Sequence, residues 1–210
     1  MKIAVCGTSC TGKTTYIEQF IKKWSMYKTP EKTYRDIIKE KNLAHSTNGT
    51  EEAQKLILDS LIDQAISVSK KDNVILDRCV LDNLVYTSWL YINDKVSGKF
   101  LDETKTLVRE TLKLYDIIFF IPLTKVAPLQ ISEKEMRDVS PVYREEIDNI
   151  FKSFIGSYQK SDGKIFPSED CPAVIDIFGS PEERIKLTEF YLNEDGTPYG
   201  EEQSLIKGIF

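Results

Sequence analysis

Residues 2–15 read KIAVCGTSCTGKTT, and the fold turns on what this stretch is. Three readings compete: a loop that holds phosphate, a redox or metal-binding cysteine pair, and a plain strand-to-helix turn. Ile3, Ala4 and Val5 run without polar alternation, as in a strand covered on both faces. Gly7, four further residues and then Gly12-Lys13-Thr14 fit the phosphate-binding pattern G-x-x-x-x-G-K-[ST] in full. Glycines let the backbone turn its N–H groups inward as an anion nest, and the helix that follows offers its positive end to the same anion. Lys13 is then a mobile charge for the β- and γ-phosphates, Thr14 a hydroxyl ligand for Mg2+, and Thr15 a contact for an α-phosphate. Thr8, Ser9, Cys10 and Thr11 complete the cradle for a nucleoside triphosphate. A plain turn accounts for both glycines but leaves Lys13-Thr14 without a reason. Cys6 and Cys10 flank the loop on opposite sides and read more simply as small fillers. The stretch is a phosphate loop.

Outward from it, amphipathic helices alternate with short apolar strands. A helix from Lys13 to about Trp24 turns Tyr16 or Ile17, Phe20, Ile21 and Trp24 to one side, and Thr29-Pro30 ends it. Residues 31–42 read as helix, and 51–71 as a second amphipathic helix with Ala53, Leu56, Ile57, Leu61, Ile62, Ala65 and Ile66 inward. Thr50, before Glu51 and Glu52, is its cap. A buried strand, NVIL, ends on Asp77, and helices follow at 80–92 and about 102–114, with Gly98 in the loop between. The strongest strand is DIIFFI (116–121). Ser140-Pro141 opens a helix to about 159, with the serine as cap and the proline in the first turn. A strand at 173–177 and a helix at 181–192 close the unit, and a polar tail, 193–210, ends it. This order predicts an α/β domain over residues 1–192: a three-layer sandwich with a parallel sheet, helices on both faces and a lid at about 123–145. Ligands of such sheets bind beyond the carboxyl ends of the strands, here at Cys6-Gly7 and Asp77-Arg78.

Bulk properties narrow the function. A chain of 210 residues with 41% hydrophobic and 29% charged content fits one globular domain rather than a disordered chain. No apolar run approaches the ~18 residues that span a bilayer, and the start, MKIAVCG, is too short for a secretory signal, so a cytoplasmic protein is expected. A net charge of −5 disfavours a broad nucleic-acid surface. Four cysteines without C-x-x-C spacing, and His45 as the single histidine, argue against a zinc site.

A phosphate loop needs a second carboxylate for Mg2+ at a strand end, and NVILD supplies Asp77. The strand DIIFFIP ends in proline, and Asp176, inside VIDIF, is a weaker candidate. LDRCVLDNLVY (76–86) resembles the D-R-x-x-x-D-x-x-x-Y segment of P-loop nucleoside and nucleotide kinases, a superfamily that includes thymidylate, deoxynucleoside and nicotinamide riboside kinase-like members. The resemblance implies ATP and Mg2+ as cofactors, Asp77 as the acid serving the metal or the acceptor hydroxyl, and Arg78 as a phosphate ligand. It also sets Asp82 and Tyr86 toward the acceptor, although a solvated acid and a core tyrosine account for them equally well. TPEKTYRDIIKE (29–40) resembles the P-E-x-x-x-R stretch of the same proteins, which implies Glu31 as general base and Arg35 as its companion or a phosphate ligand. A solvated Glu-Arg pair at i,i+4 explains that spacing as well. MRDVSPVYREEIDNIF (136–151) resembles their lid, with Arg137 and Arg144 closing over the transferred phosphoryl group. Gly179-Ser180-Pro181 marks either the place of the adenine or only a helix start.

The resulting expectation is phosphoryl transfer from ATP-Mg2+ to a small nucleoside-type acceptor, first of all a (deoxy)nucleoside monophosphate. A nucleoside or nicotinamide riboside is the alternative acceptor. A P-loop NTPase module or a base kinase acting on nucleic acid is the alternative of a different class. The guanine-specificity motif N-K-x-D is missing, and Asp77 is followed by Arg78 instead of the second acid common in motors. The sequence leaves the oligomeric state, monomer or homodimer, open.

Overall fold

The computed structural model describes residues 1–68, 72–124, 140–159 and 165–199. Four parallel strands form one sheet, β1 (Lys2–Cys6), β2 (Val74–Asp77), β3 (Ile117–Phe120) and β4 (Ala173–Asp176), in the order β2-β1-β3-β4. Strand β1 sits inside and every one of its residues is buried, which is why KIAVC shows no alternation. Its two faces still divide by the period of two. Ala4 and Cys6 join Val74, Leu76, Ile118 and Phe120 on one side, while Ile3 and Val5 join Ile75, Ile117 and Phe119 on the other.

The first side is covered by α3 (Glu51–Ser67), α4 (Val80–Ile92), α5 (Gly98–Leu112) and α6 (Pro141–Gln159). The second is covered by α1 (Lys13–Lys23) and α7 (Pro181–Thr188). The remaining helix, α2 (Tyr34–Glu40), lies between α1 and α3 in the chain and contains no fully buried residue. The expected three-layer sandwich is the observed architecture. Strands β1, β2 and β3 end nearly level, with Val5 opposite Asp77 and Cys6 opposite Phe120, so the loops that follow them meet at one rim.

Some boundaries differ from the sequence reading, for local reasons. Helix α5 begins at Gly98, not 102, because the Ser97 hydroxyl accepts the Phe100 N–H at 3.2 Å and caps the helix there. Helix α3 ends at Ser67, and Ile66 is 65% exposed rather than inward-facing; Leu61 and Ala65 already fill the stripe toward the sheet. Helix α7 stops at Thr188, because Leu192 leaves it to form a bridge with Pro198. Strand β4 is an edge strand with exposed or half-buried residues, in contrast to the fully buried β1 and β3. The described start of the tail is docked: Trp24 Nε1 donates to the Asn193 carbonyl at 2.8 Å and the Tyr27 hydroxyl to that of Gly196 at 2.7 Å. No helix among the described residues is long and apolar enough to cross a membrane.

Candidate functional site

The loop between β1 and α1 is built around its own lysine. Gly7 has φ +138°, and a Cβ there would lie 2.5 Å from the Ile121 carbonyl oxygen, so only glycine fits between β1 and the end of β3. Gly12 takes φ +80° immediately before α1. Between them Thr8 and Thr11 are buried and Ser9 and Cys10 are partly exposed, with Cys10 also left-handed at φ 58°. Lys13, 4% exposed, donates from Nζ to the carbonyls of Gly7 at 2.8 Å and Thr8 at 2.5 Å. Burial, helped by the positive charge of Arg78, lowers the Lys13 pKa to about 7 against the opposing pull of Asp77, Asp82 and Cys6. Thr14 and Thr15 are exposed at the first turn of α1.

Asp77 ends β2 beside this loop. One guanidinium nitrogen of Arg35, from α2, lies 3.1 Å from Asp77 Oδ2 and donates to Thr14 Oγ1 at 3.4 Å. The two oxygens expected to serve Mg2+ therefore converge on one cation. The second carboxylate oxygen, Asp77 Oδ1, is buried with no hydrogen-bond partner among the described residues. A threonine hydroxyl and one carboxylate form a sparse, hard-oxygen donor set. That suits Mg2+, which keeps waters and takes substrate phosphates as further ligands. No cluster of three or more His, Cys, Asp or Glu that would suit an all-protein metal cage is found among the described residues.

Arg78 follows in a left-handed conformation, φ 81°, a strained backbone for a residue with a side chain. Its N–H still donates to the Val5 carbonyl at 3.0 Å, so the chain leaves the ladder only after this bond. The turn aims the guanidinium back under the loop, where NH1 donates to Asp82 Oδ1 at 2.8 Å and approaches the Gly7 carbonyl at 3.4 Å. The rings of Tyr34 and Tyr86 lie 4.9 and 5.2 Å from it, and NH2 reaches the Tyr86 hydroxyl at 3.4 Å. Asp82 is 1% exposed and is no solvated acid: Oδ2 accepts the Cys79 N–H at 3.0 Å as the cap of α4, while Oδ1 takes Arg78 and the Gly7 N–H. Burial raises the Asp82 pKa, and Arg78 and Lys13 oppose it.

The structure thus brings together Gly7, Lys13, Thr14, Arg35, Asp77, Arg78, Asp82 and Tyr86. Glu31 is exposed in the turn before α2, and no described hydrogen bond or ion pair joins it to this group. Arg144, on α6, is half-buried, with Nε and one terminal nitrogen buried and without a hydrogen-bond partner among the described residues. Arg137 and most of the expected lid lie outside the described residues. Asp176 has Lys152 and Asp148 as its charged neighbours rather than the phosphate loop, and burial raises its pKa. Ser180 caps α7, accepting the Glu183 N–H at 3.3 Å while Glu183 accepts the Ser180 N–H at 2.7 Å. None of the four cysteines is in a disulfide.

Two residues were not picked out in the sequence. Arg184, on α7 and 6% exposed, donates to the Thr11 carbonyl at 2.7 Å and braces the loop from the far side. In PEERIK it looks like any arginine of a charged helix, and only the packing of α7 on α1 reveals its task. Tyr34 stood in the quoted TYRDII, and an aromatic residue beside an expected phosphate arginine was a signal that could have been used.

The family model for the AAA domain matches residues 2–161. A search of curated proteins finds no match. Among solved structures, deoxyadenosine kinase from M. mycoides with products dCMP and a flexible dCDP bound superposes with a TM-score of 0.59 at 18% identity, over 90% of this chain and 96% of that one. Thymidylate kinase from Candida albicans gives 0.58 at 17% identity, over 90% and 89%. The NadR protein in complex with NR gives 0.60 at 16% identity, over 84% of this chain but 45% of that one. At these identities the likeness is one of fold.

Proposed function

The chain belongs to this AAA-domain family, and from that premise we propose that it transfers the γ-phosphoryl group of ATP to a small nucleoside-type acceptor. The observation that carries the reading is the joining of Asp77, Thr14 and Arg35 at the mouth of the phosphate loop, with Arg78 held directly behind. The loop N–H groups and Lys13 bind the donor's phosphates, Lys13 exchanging its carbonyl partners for phosphate oxygens. Thr14 and Asp77 would hold Mg2+, which supplies charge neutralisation on the donor phosphates. Arg35 and Arg78 orient the acceptor for in-line attack, and Glu31 or Asp77 receives its proton. Arg144, with Arg137, closes over the reacting group; its buried nitrogens, without a hydrogen-bond partner among the described residues, support a role that needs an anion.

Two arginines close to Asp77, Arg35 at the mouth and Arg78 behind it, favour an acceptor that already carries a phosphate, a (deoxy)nucleoside monophosphate. A second reading, a nucleoside or nicotinamide riboside, is favoured by the pinning of Arg78 against Asp82, which leaves Arg35 as the more available cation. The test is ADP formation from ATP-Mg2+ with nucleosides and nucleoside monophosphates as acceptors, and Lys13→Ala as control. Stimulation by one acceptor, lost in the variant, supports the reading and names the substrate. Stimulation only by a DNA or RNA strand overturns it in favour of a nucleic-acid-directed NTPase or kinase.

A further inference from the structure

We propose that Arg35 and the divalent cation are alternative occupants of the Thr14–Asp77 pair, so that loading of the metal-nucleotide releases Arg35 toward the acceptor. This rests on the kinase reading of the site and concerns the order in which that site fills. One guanidinium nitrogen bridges Asp77 Oδ2 and Thr14 Oγ1 at 3.1 and 3.4 Å. A magnesium ion bound by the same oxygens would stand at 2.0–2.1 Å from them, in the space this nitrogen fills. A +1 and a +2 charge in contact over one carboxylate also repel each other strongly where water is scarce, and the Asp77 side chain is 8% exposed.

The element carrying Arg35 is suited to move. Helix α2 has seven residues, none of them fully buried; among the described residues it rests on the core only through the partly buried Tyr34 and Ile38, and its own capping box holds its start, with Thr33 N–H and hydroxyl both donating to Asp36 Oδ2, at 2.7 and 3.0 Å. Its rotation would leave the sheet untouched. The neighbouring residue, Tyr34, lies on Arg78, and Arg35 Nε donates to the Tyr34 hydroxyl at 3.3 Å. Departure of Arg35 therefore loosens the aromatic cover of Arg78 in the same movement. Arg35 becomes available to an anionic acceptor only after the metal-nucleotide is in place, while Arg78 stays paired with Asp82. Acceptor binding then follows donor binding.

The test is Mn2+ affinity read by electron paramagnetic resonance with a non-hydrolysable ATP analogue bound, so that no turnover is involved. Arg35→Gln removes the competing charge and should tighten Mn2+ binding roughly two- to fivefold, the upper part of the range for a partly exposed ion pair. Arg35→Lys keeps a cation on the helix and should stay within about twofold of the wild type. Unchanged or weaker Mn2+ binding in Arg35→Gln overturns the exchange, as does an equal shift in Arg35→Lys. Asp77→Asn separates this failure from that of the underlying reading. If it weakens Mn2+ binding tenfold or more while Arg35→Gln has no effect, the metal site stands and the exchange falls. If Asp77→Asn leaves Mn2+ affinity unchanged, the reading of the site falls and the exchange with it.

Discussion

The phosphate loop and helix α2 face each other across Asp77, yet they are held in opposite ways. The loop is locked into the core: its carbonyls accept from Lys13, Arg78 and Arg184, its Gly7 N–H donates to a buried carboxylate, and Thr8 and Thr11 are buried. Helix α2 has no fully buried residue and touches the site through a stacked tyrosine, one ion pair and one hydrogen bond to Thr14. On the proposed reading, a loop held this firmly suits the donor phosphates, which would present the same geometry in every cycle. On the same reading, a lightly held helix suits an acceptor that must enter and leave, since elements that move come from the least stable part of a fold.

Substitutions on the two sides should therefore fail differently. The largest effect is expected for Lys13→Ala, about 10²- to 10³-fold in turnover of ATP, because on the proposed reading Lys13 supplies positive charge to the donor phosphates. The fold should survive, and a melting curve beside the assay checks this. Next comes Asp82→Ala, which should lower stability by about 3 kcal/mol in urea unfolding, since it strands the buried Arg78 and leaves the α4 cap unmade. A cost under ~1 kcal/mol would mean that the loop is not locked as described.

The Lys13 pKa of about 7 sharpens the comparison through pH. Because it lies below the usual lysine value, the unfolded chain binds the extra proton between about pH 7 and 10.5, and stability contributed by this group rises with pH across that window. Anionic phosphates favour the protonated lysine, so nucleotide binding at pH 8 should take up protons, and at pH 6 it should not. Calorimetry in buffers of different ionisation enthalpy reads this directly. Smaller again is Arg184→Gln, expected to weaken nucleotide binding about tenfold while leaving the acceptor KM near its original value, because it removes the brace on Thr11 only. Tyr34→Leu should be the mildest for the fold, within about 1 kcal/mol of the original stability. Its effect should appear as a higher KM for the acceptor. A larger loss of stability than for Asp82→Ala would reverse the comparison.

Much of the fold and the placing of the loop after β1 could be read from the chain alone, because the signals are local. The phosphate loop is contiguous, the glycine and lysine positions follow from backbone sterics and charge, and buried strands announce themselves as unbroken apolar runs. Asp77 was legible for the same reason, as an acid at the end of such a run. The limits of α5 and α7 were not, because a single serine cap and a bridge between Leu192 and Pro198 decided them. Asp82 looked as much like a solvated acid as a site residue, and only the approach of Gly7, 75 positions away in the chain, makes it a clamp. Arg184 closes the loop from 173 positions away, and Arg35 meets Thr14 from 21. A motif records which residues stand next to one another along the chain. Which distant charges share one buried carboxylate, and which of them is free to leave it, is decided by the packing of helices on the sheet, where burial sets how strongly each charge is held.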